Sequence, residues 1–297
     1  MRVELPGIGG PGQDAAPLRP RPRRAGARPA SGWRRLLGQW LPPLAVLAVV
    51  LGLWYAVSYL VLSPQRRFLL PPPHEVVQVG FLTRDNLVEI ATALLLSTRV
   101  ALLGLSVAVA LGMSVAIMMH QARWIERSLY PYAVILQTIP ILALVPLLGF
   151  WFGFGFFSRV LVCVLISLFP IIANTLFGLQ SVAASQHDLF SLHGAGRLRR
   201  LWKLELPAAL PAIFTGLRIA AGLSVIGAIV GDFFFKQGDP GIGILIDLYR
   251  ARLQSQQLFA AVFVSSMLGV AVFWCFGFLA NRVVGRWHES GRDPRGP

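Results

Sequence analysis

From about residue 41 onward the chain alternates between long apolar stretches and short polar, mostly basic ones. Six stretches approach or exceed the ~20 residues that a helix needs to cross ~30 Å of hydrocarbon. They lie near 41–62, 100–119, 133–152, 160–179, 219–235 and 258–279. The fifth is the shortest, and its helix is expected to begin earlier, around Ala208. None alternates with the two-residue period of a barrel strand, and an open sheet edge finds no hydrogen-bond partner in lipid. The pattern predicts an all-α membrane protein with six transmembrane helices.

The segments between these stretches carry turn chemistry. Ser63-Pro64 and Pro71-Pro72-Pro73 stop a helix, and 74–90 is expected to form a short interfacial helix. Gly238-Asp-Pro-Gly-Ile-Gly243 reads as a turn cluster. A short amphipathic helix follows it, with Ile244, Ile246, Leu248 and Tyr249 on its apolar face. Pro140, Pro146 and Pro170 fall inside spans, where each removes a backbone hydrogen bond and can kink the helix.

Composition agrees with the pattern. Hydrophobic residues make up 55% of the 297, and charged residues only 13%, against about 25% in a soluble domain. The net charge of +14 does not imply nucleic acid, because the cations sit at the ends and in loops between apolar runs. With the N-terminus inside, 18 of the 27 lysines and arginines fall in 1–40, 120–130, 181–206 and the tail after Asn281. The positive-inside rule therefore predicts both termini in the cytoplasm. Residues 1–35 are rich in Pro, Gly, Ala and Arg and read as a disordered tail; 288–297 read as a polar tail. Cys163 and Cys275 lie in apolar runs with no ligand set around them, so neither a disulfide nor a metal site is expected.

The polar run from Asp188 to Pro207 then becomes informative. It carries four cations, Arg197, Arg199, Arg200 and Lys203, between two long apolar stretches, as a cytoplasmic loop would. Asp188, Gly194, Leu204, Leu206 and Pro207 fall in register with the EAA loop of bacterial ABC importer permeases: an acidic residue, a glycine and an Ile-x-Leu-Pro ending. Leu189 and Phe190 stand where that pattern has two alanines. Further strings carry the resemblance: Leu70-Pro-Pro-Pro73, Ser97-Thr-Arg99, Ile139-Pro140, Phe169-Pro170, Leu206-Pro-Ala-Ala-Leu-Pro211, Gly216-Leu-Arg218 and Gly241-Ile-Gly243.

From about Leu69 to Trp287 the chain resembles permeases of the nitrate/sulfonate/taurine group, which includes importers of pyrimidine precursors and riboflavin. The resemblance implies a transmembrane permease domain over 36–287 with a coupling loop at 181–206, in the bacterial inner (plasma) membrane. It implies a second copy of the permease, a dimer of cytoplasmic ATPase subunits that bind ATP and Mg, and an external solute-binding protein. Asp188, Gly194, Ala195, Arg197, Arg199, Arg200, Leu204, Leu206 and Pro207 are the expected coupling residues. The segment Gly231-Asp-Phe-Phe-Phe235 departs from the Glu expected after the fifth span in sulfonate-type members, and that departure, with its aromatic run, favours a pyrimidine- or flavin-type ligand. An ion-coupled secondary transporter and a structural membrane anchor are the alternatives.

Polar residues inside spans mark the candidate path, because intramembrane polar groups face the bundle interior. They are Gln137, Thr138, Asn174, Thr175, Ser224 and, at the outer end of the fifth span, Asp232. Gly149/Gly153 and Gly227/Gly231 have the spacing of close helix packing. Catalytic motifs fail. A phosphate-binding loop needs Lys followed by Ser or Thr, but Lys203 and Lys236 precede Leu204 and Gln237. His74-Glu-Val-Val-Gln78 lacks the second His of a zinc protease. No catalytic, cofactor or metal site is expected in this chain.

Overall fold

The computed structural model describes residues 32–284, with side chains from 40 to 283. The expected terminal tails thus lie almost wholly outside the described residues. The chain divides into two units, Met1–Leu53 and Trp54–Pro297. Helix α1, Gly32–Ala56, supplies the described part of the first and continues into a wide-turned segment, Val57–Val61.

All regular structure among the described residues of the second unit is helical. Pro73 opens α2 (Pro73–Val77), which runs on as a wide turn to Leu82. Trp54 Nε1 donates to Pro71 O at 3.0 Å, and Ser58 Oγ to Leu70 O at 2.9 Å, pinning the proline segment. Helix α3 is Arg84–Gln121. It begins earlier than the apolar run suggests and absorbs residues 84–90, which had been expected in the interfacial helix. The remaining helices are α4 (Arg123–Thr138), α5 (Ile141–Phe152), α6 (Phe156–Gln180), α7 (Ala184–Leu192), α8 (Arg197–Arg200), α9 (Leu206–Phe234), α10 (Ile242–Ala251) and α11 (Ser255–Val284).

Among the described residues five helices are long and apolar enough to cross a membrane. A sixth span exists only if α4 and α5 are counted together, and these meet at a 101° bend. The third expected span is therefore broken rather than continuous. Pro140 has no N–H to donate, and it forces Ile139 into an extended conformation (φ −66°, ψ 127°). Pro146 and Pro170, by contrast, lie inside unbroken helices.

Helix α6 sits at the centre, most extensively packed against α9 and α3. Small residues make this possible. A Cβ at Gly227 would stand 2.9 Å from Cys163 Cα, and one at Gly231 3.1 Å from Arg159 Cα. A Cβ at Gly216 would meet Pro170 O at 2.9 Å, and at Gly112 it would meet Ile171 Cγ2 at 2.8 Å. The Gly227/Gly231 pair thus packs on α6 of the same chain, and Gly149 packs on Phe154. Lipid is as apolar as a leucine, so association rests on such close contact and on interhelical hydrogen bonds. Ser167 Oγ donates to Ala220 O at 3.1 Å and Ser224 Oγ to Ala101 O at 2.7 Å. Cys163 fills the same core beside Val100, Ala101, Val225 and Ala228.

Two glycines of α9 separate the effects of space and propensity. Gly227→Leu forces α6 and α9 apart and is expected to destabilise by about 1–3 kcal/mol as overpacking does. At Gly222 nothing lies within 4 Å of an added Cβ, so Gly222→Ala is expected to be neutral or to stabilise by up to ~1 kcal/mol. Melting temperatures of the purified variants in detergent check both; equal shifts of one sign would contradict the glycine contact.

Candidate functional site

At one end of the bundle α6 gives way to the α7–α8 loop. Helix α7 closes at His193, and Gly194 follows with φ +64°. Gly194 N donates to Ser191 O and Ala195 N to Phe190 O, both at 3.0 Å. A left-handed residue in this capping turn is where glycine carries least strain. Nothing lies within 4 Å of an added Cβ at Gly194. Within this chain the glycine is needed for its backbone angle and not for a close approach.

The expected loop residues divide into two sets. Asp188, Arg197, Arg199 and Pro207 are exposed; Ala195, Arg200, Leu204 and Leu206 are partly buried. Leu206 packs on a core of Leu179, Leu201, Ala209 and Ile213, while Pro207 occupies the first turn of α9, where its missing N–H costs nothing. Leu189, Leu192, Leu198 and Trp202 are also exposed, Leu192 to 85%. These four large apolar side chains outside the predicted spans escaped the sequence reading, which weighed the arginines. The signal was present as apolar residues between cations.

The path residues also divide. Gln137 and Thr138 are exposed at the α4–α5 break, with Thr138 Oγ1 donating back to Ile135 O at 2.8 Å. A cavity of about 340 Å³ opens beside them, walled by Ile141, Leu165, Phe169, Pro170, Leu223 and others, with Gln137 on its lining. No lining residue carries a charge. Asn174, partly buried, donates to Pro170 O at 2.8 Å and packs against Gly216. Thr175, Ser224 and Asp232 are at most 1% exposed.

Asp232 belongs to a different construction, at the opposite end of α9 from the loop. Ser97 Oγ donates to its Oδ2 at 2.6 Å and itself accepts from Ile242 N at 2.8 Å; Gly243 N reaches the same Oδ2 at 3.3 Å. The carboxylate thus receives the N-terminus of α10, where a negative charge is favoured. Arg159 Nη1 stands 3.2 Å from Oδ1. That contact lacks hydrogen-bond alignment and is held by charge. The guanidinium spends its donors on three carbonyls of the following turn: Phe235 at 2.9 Å, Gln237 at 3.0 Å and Asp239 at 3.1 Å. Gly241 and Gly243 are dictated by this packing, because a Cβ would lie 2.0 Å from Asp232 Oδ2 or 2.4 Å from Ile229 O. Arg159 itself is only 1% exposed. Helix α10 buries Ile242, Leu245 and Tyr249, while Ile244, Ile246 and Leu248 are half-buried. On its exposed side Lys236, at 2.6 Å from Asp247 Oδ2, and then Arg250, at 2.7 Å from Oδ1, hold the Asp247 carboxyl below its ordinary pKa.

An all-helical chain with five or six candidate spans among the described residues agrees with the fold class that the sequence resemblance implied. A model of the binding-protein-dependent transport system inner membrane component family matches residues 108–285. The chain belongs to this family. It is 32% identical over 243 residues to the formylaminopyrimidine transport permease protein of Halalkalibacterium halodurans, covering 82% of this chain and 94% of that one. It is 31% identical over 272 residues to the taurine transport system permease protein of Escherichia coli, covering 86% and 94%. It is 34% identical over 168 residues to the riboflavin transport system permease protein of Chloroflexus aurantiacus, covering 57% and 62%. As a permease component this is a multi-pass inner-membrane protein and not itself an ATPase. A binding-protein-dependent ABC system in general also contains an ATPase and a binding protein. Among the described residues no group of three His, Cys, Asp or Glu side chains is placed to hold a metal ion.

The buried pair yields a prediction about permease folding. Arg159→Met strands the Asp232 charge and is expected to cost about 3–5 kcal/mol. Adding Asp232→Asn removes that charge and is expected to restore part of the loss. Detergent melting of the single and double variants decides; a double variant no better than the single would mean that charge pairing is not what Asp232 supplies.

Proposed function

We propose that this permease, with a second copy of itself, forms the translocation path of an ATP-driven importer for a small neutral heterocyclic solute of the pyrimidine or flavin type. In this reading the α7–α8 loop and both termini are cytoplasmic. Two ATPase subunits bind ATP and Mg and grip the loops, and an external binding protein delivers solute. ATP binding draws the two loops together and switches the path between inward- and outward-facing states; hydrolysis resets it. The loop residues Asp188, Gly194, Ala195, Arg197, Arg199 and Arg200 meet the ATPase, and Leu204, Leu206 and Pro207 anchor the loop to α9. Exposed Leu189, Leu192, Leu198 and Trp202 supply the apolar part of that contact, and the arginines its charge complementarity.

The choice of solute rests on the uncharged cavity at the α4–α5 break. Relatives named for a formylaminopyrimidine, riboflavin and taurine have 32%, 34% and 31% identity, so likeness alone does not choose among them. An anion passing an apolar wall with only an amide to meet it would lose its hydration without compensation. A neutral ring with polar edges needs only the one donor–acceptor pair that Gln137 offers. In this proposal Gln137, Thr138 and Asn174 serve the path, and Ser224 and Asp232 hold the helices that shape it.

Gly194→Arg should leave membrane insertion intact and abolish retention of the ATPase. Purification of the tagged chain from its native membrane, with mass spectrometry of what accompanies it, checks this. Retention of the ATPase by the variant, or normal uptake, contradicts the loop assignment. The binding protein recovered with the wild-type complex should be stabilised by a formylaminopyrimidine or riboflavin and not by taurine or bicarbonate. The permease should lose uptake by about tenfold or more in Gln137→Glu, because the cavity lining offers a carboxylate no charged partner. Unchanged uptake in Gln137→Glu removes Gln137 from the path.

A further inference from the structure

One residue of the loop region was passed over because it occupies the free position of the Leu-x-Leu-Pro ending. Glu205 is only 5% exposed, although it lies between the exposed Lys203 and Pro207. Its two carboxylate oxygens face different parts of the molecule. Oε2 lies 3.0 Å from His120 Nε2, at the last turn of the membrane helix α3. Oε1 faces the loop, 3.6 Å from Arg200 Nε of α8 and 3.8 Å from His187 Nδ1 of α7. A single carboxylate therefore touches both halves of the loop and the end of a transmembrane helix outside it.

The backbone around Glu205 makes this position mechanical. Residues Arg197–Phe234 form one helical rod of 38 residues that leads from the loop across the membrane. The rod is interrupted by a wide turn over Leu201–Glu205, and Pro207 and Pro211 follow within two turns. Wide turns and prolines weaken the hydrogen-bond ladder and are where helices bend. Without a link across this weak segment, a push on α8 would dissipate in bending. Glu205 supplies that link, sideways to α3 and back to α7.

We propose that Glu205 is a positioning residue that transmits movement of the α7–α8 loop to α3 and α9. This rests on the reading that the loop meets an ATPase. His120 is its membrane-side partner, and Arg200 and His187 are its loop-side partners. The carboxylate is required, because the neutral amide of glutamine can meet His120 but offers Arg200 and His187 no charge to pair with.

The test uses the complete transporter, purified with its ATPase and reconstituted in lipid with its loaded binding protein. Solute uptake and ATP hydrolysis are measured together. Glu205→Gln is expected to retain the ATPase and basal hydrolysis, while solute moved per ATP falls by about tenfold, within the usual range of coupling between two sites. Glu205→Asp is expected to recover part of the ratio. His120→Gln is expected to give a similar loss, and the double variant little more than either single, as for residues acting as one unit. An unchanged ratio in Glu205→Gln, or losses that add independently, overturns the proposal. If Glu205→Gln does not accumulate, the ratio in His120→Gln decides: a wild-type value overturns the proposal, and a fall of the stated size supports it. Complex that is lost in proportion with an unchanged ratio marks a purely structural role and also overturns it. A wild-type chain that retains no ATPase removes the loop reading itself, and is seen before any variant is made.

Discussion

The approach of α9 to α6 through backbone rather than side chains is the constraint on which the other features depend. In water a helix pair gains stability by withdrawing apolar surface; in lipid that gain is absent, and contact distance takes its place. Gly216, Gly227 and Gly231 form a row along α9 that meets Pro170, Cys163 and Arg159 in turn along the antiparallel α6. The row fixes register as well as distance. Sliding α9 by one turn would set Asn174 and Arg159 against side chains instead of glycines. It would also break the hydrogen bonds from Ser167 to Ala220 O and from Ser224 to Ala101 O.

Fixed register explains how two polar clusters are maintained at opposite ends of one helix. At one end Arg159 and Asp232 tie α6 and α9 to the turn before α10, and Ser97 adds α3. At the other, Glu205 lies between α3 and the loop. Both clusters draw on α3 and on the α9 rod, so these helices form a beam between the two ends, with Glu205 at the weak segment where the rod begins. The α4–α5 pair lies against the beam without sharing either cluster, and it carries the break at Pro140. The polar clusters and the broken span thus fall on different helices.

Sequence reasoning reached the features whose cause is local. Apolar runs gave the spans, because hydrocarbon thickness sets their length. The stop at Pro71–Pro73 and the turn at Gly238–Gly243 followed from backbone chemistry alone. The register of Gly194 with Leu206-Pro207 pointed to the loop, and within this chain the glycine has a left-handed backbone angle that the sequence alone does not show. What escaped depends on partners far apart in the chain. Asp232 was read as a lone acid because Arg159 lies 73 positions earlier, and nothing local in the sequence shows the three carbonyls to which Arg159 donates. Glu205 was invisible for the same reason, since His120 is 85 positions away. The break of the third span was a failure of another kind. Pro140, Pro146 and Pro170 look equivalent in sequence, yet only Pro140 separates two helices, because Pro146 and Pro170 are continued by the helices around them.

The separation between beam and broken span bears on how much a permease sequence tells about its cargo. Side chains that hold the beam are buried and paired, and their chemistry is answerable to one another rather than to a solute. At the α4–α5 break Gln137 is polar and exposed and lines the cavity. Under the proposed function, a change of cargo would fall on residues at this break. The packing glycines and buried ion pair must stay whatever passes between the helices. Relatives named for unlike solutes have similar identity to this chain, so in the proposed function the choice of cargo rests on the uncharged cavity wall and not on overall likeness.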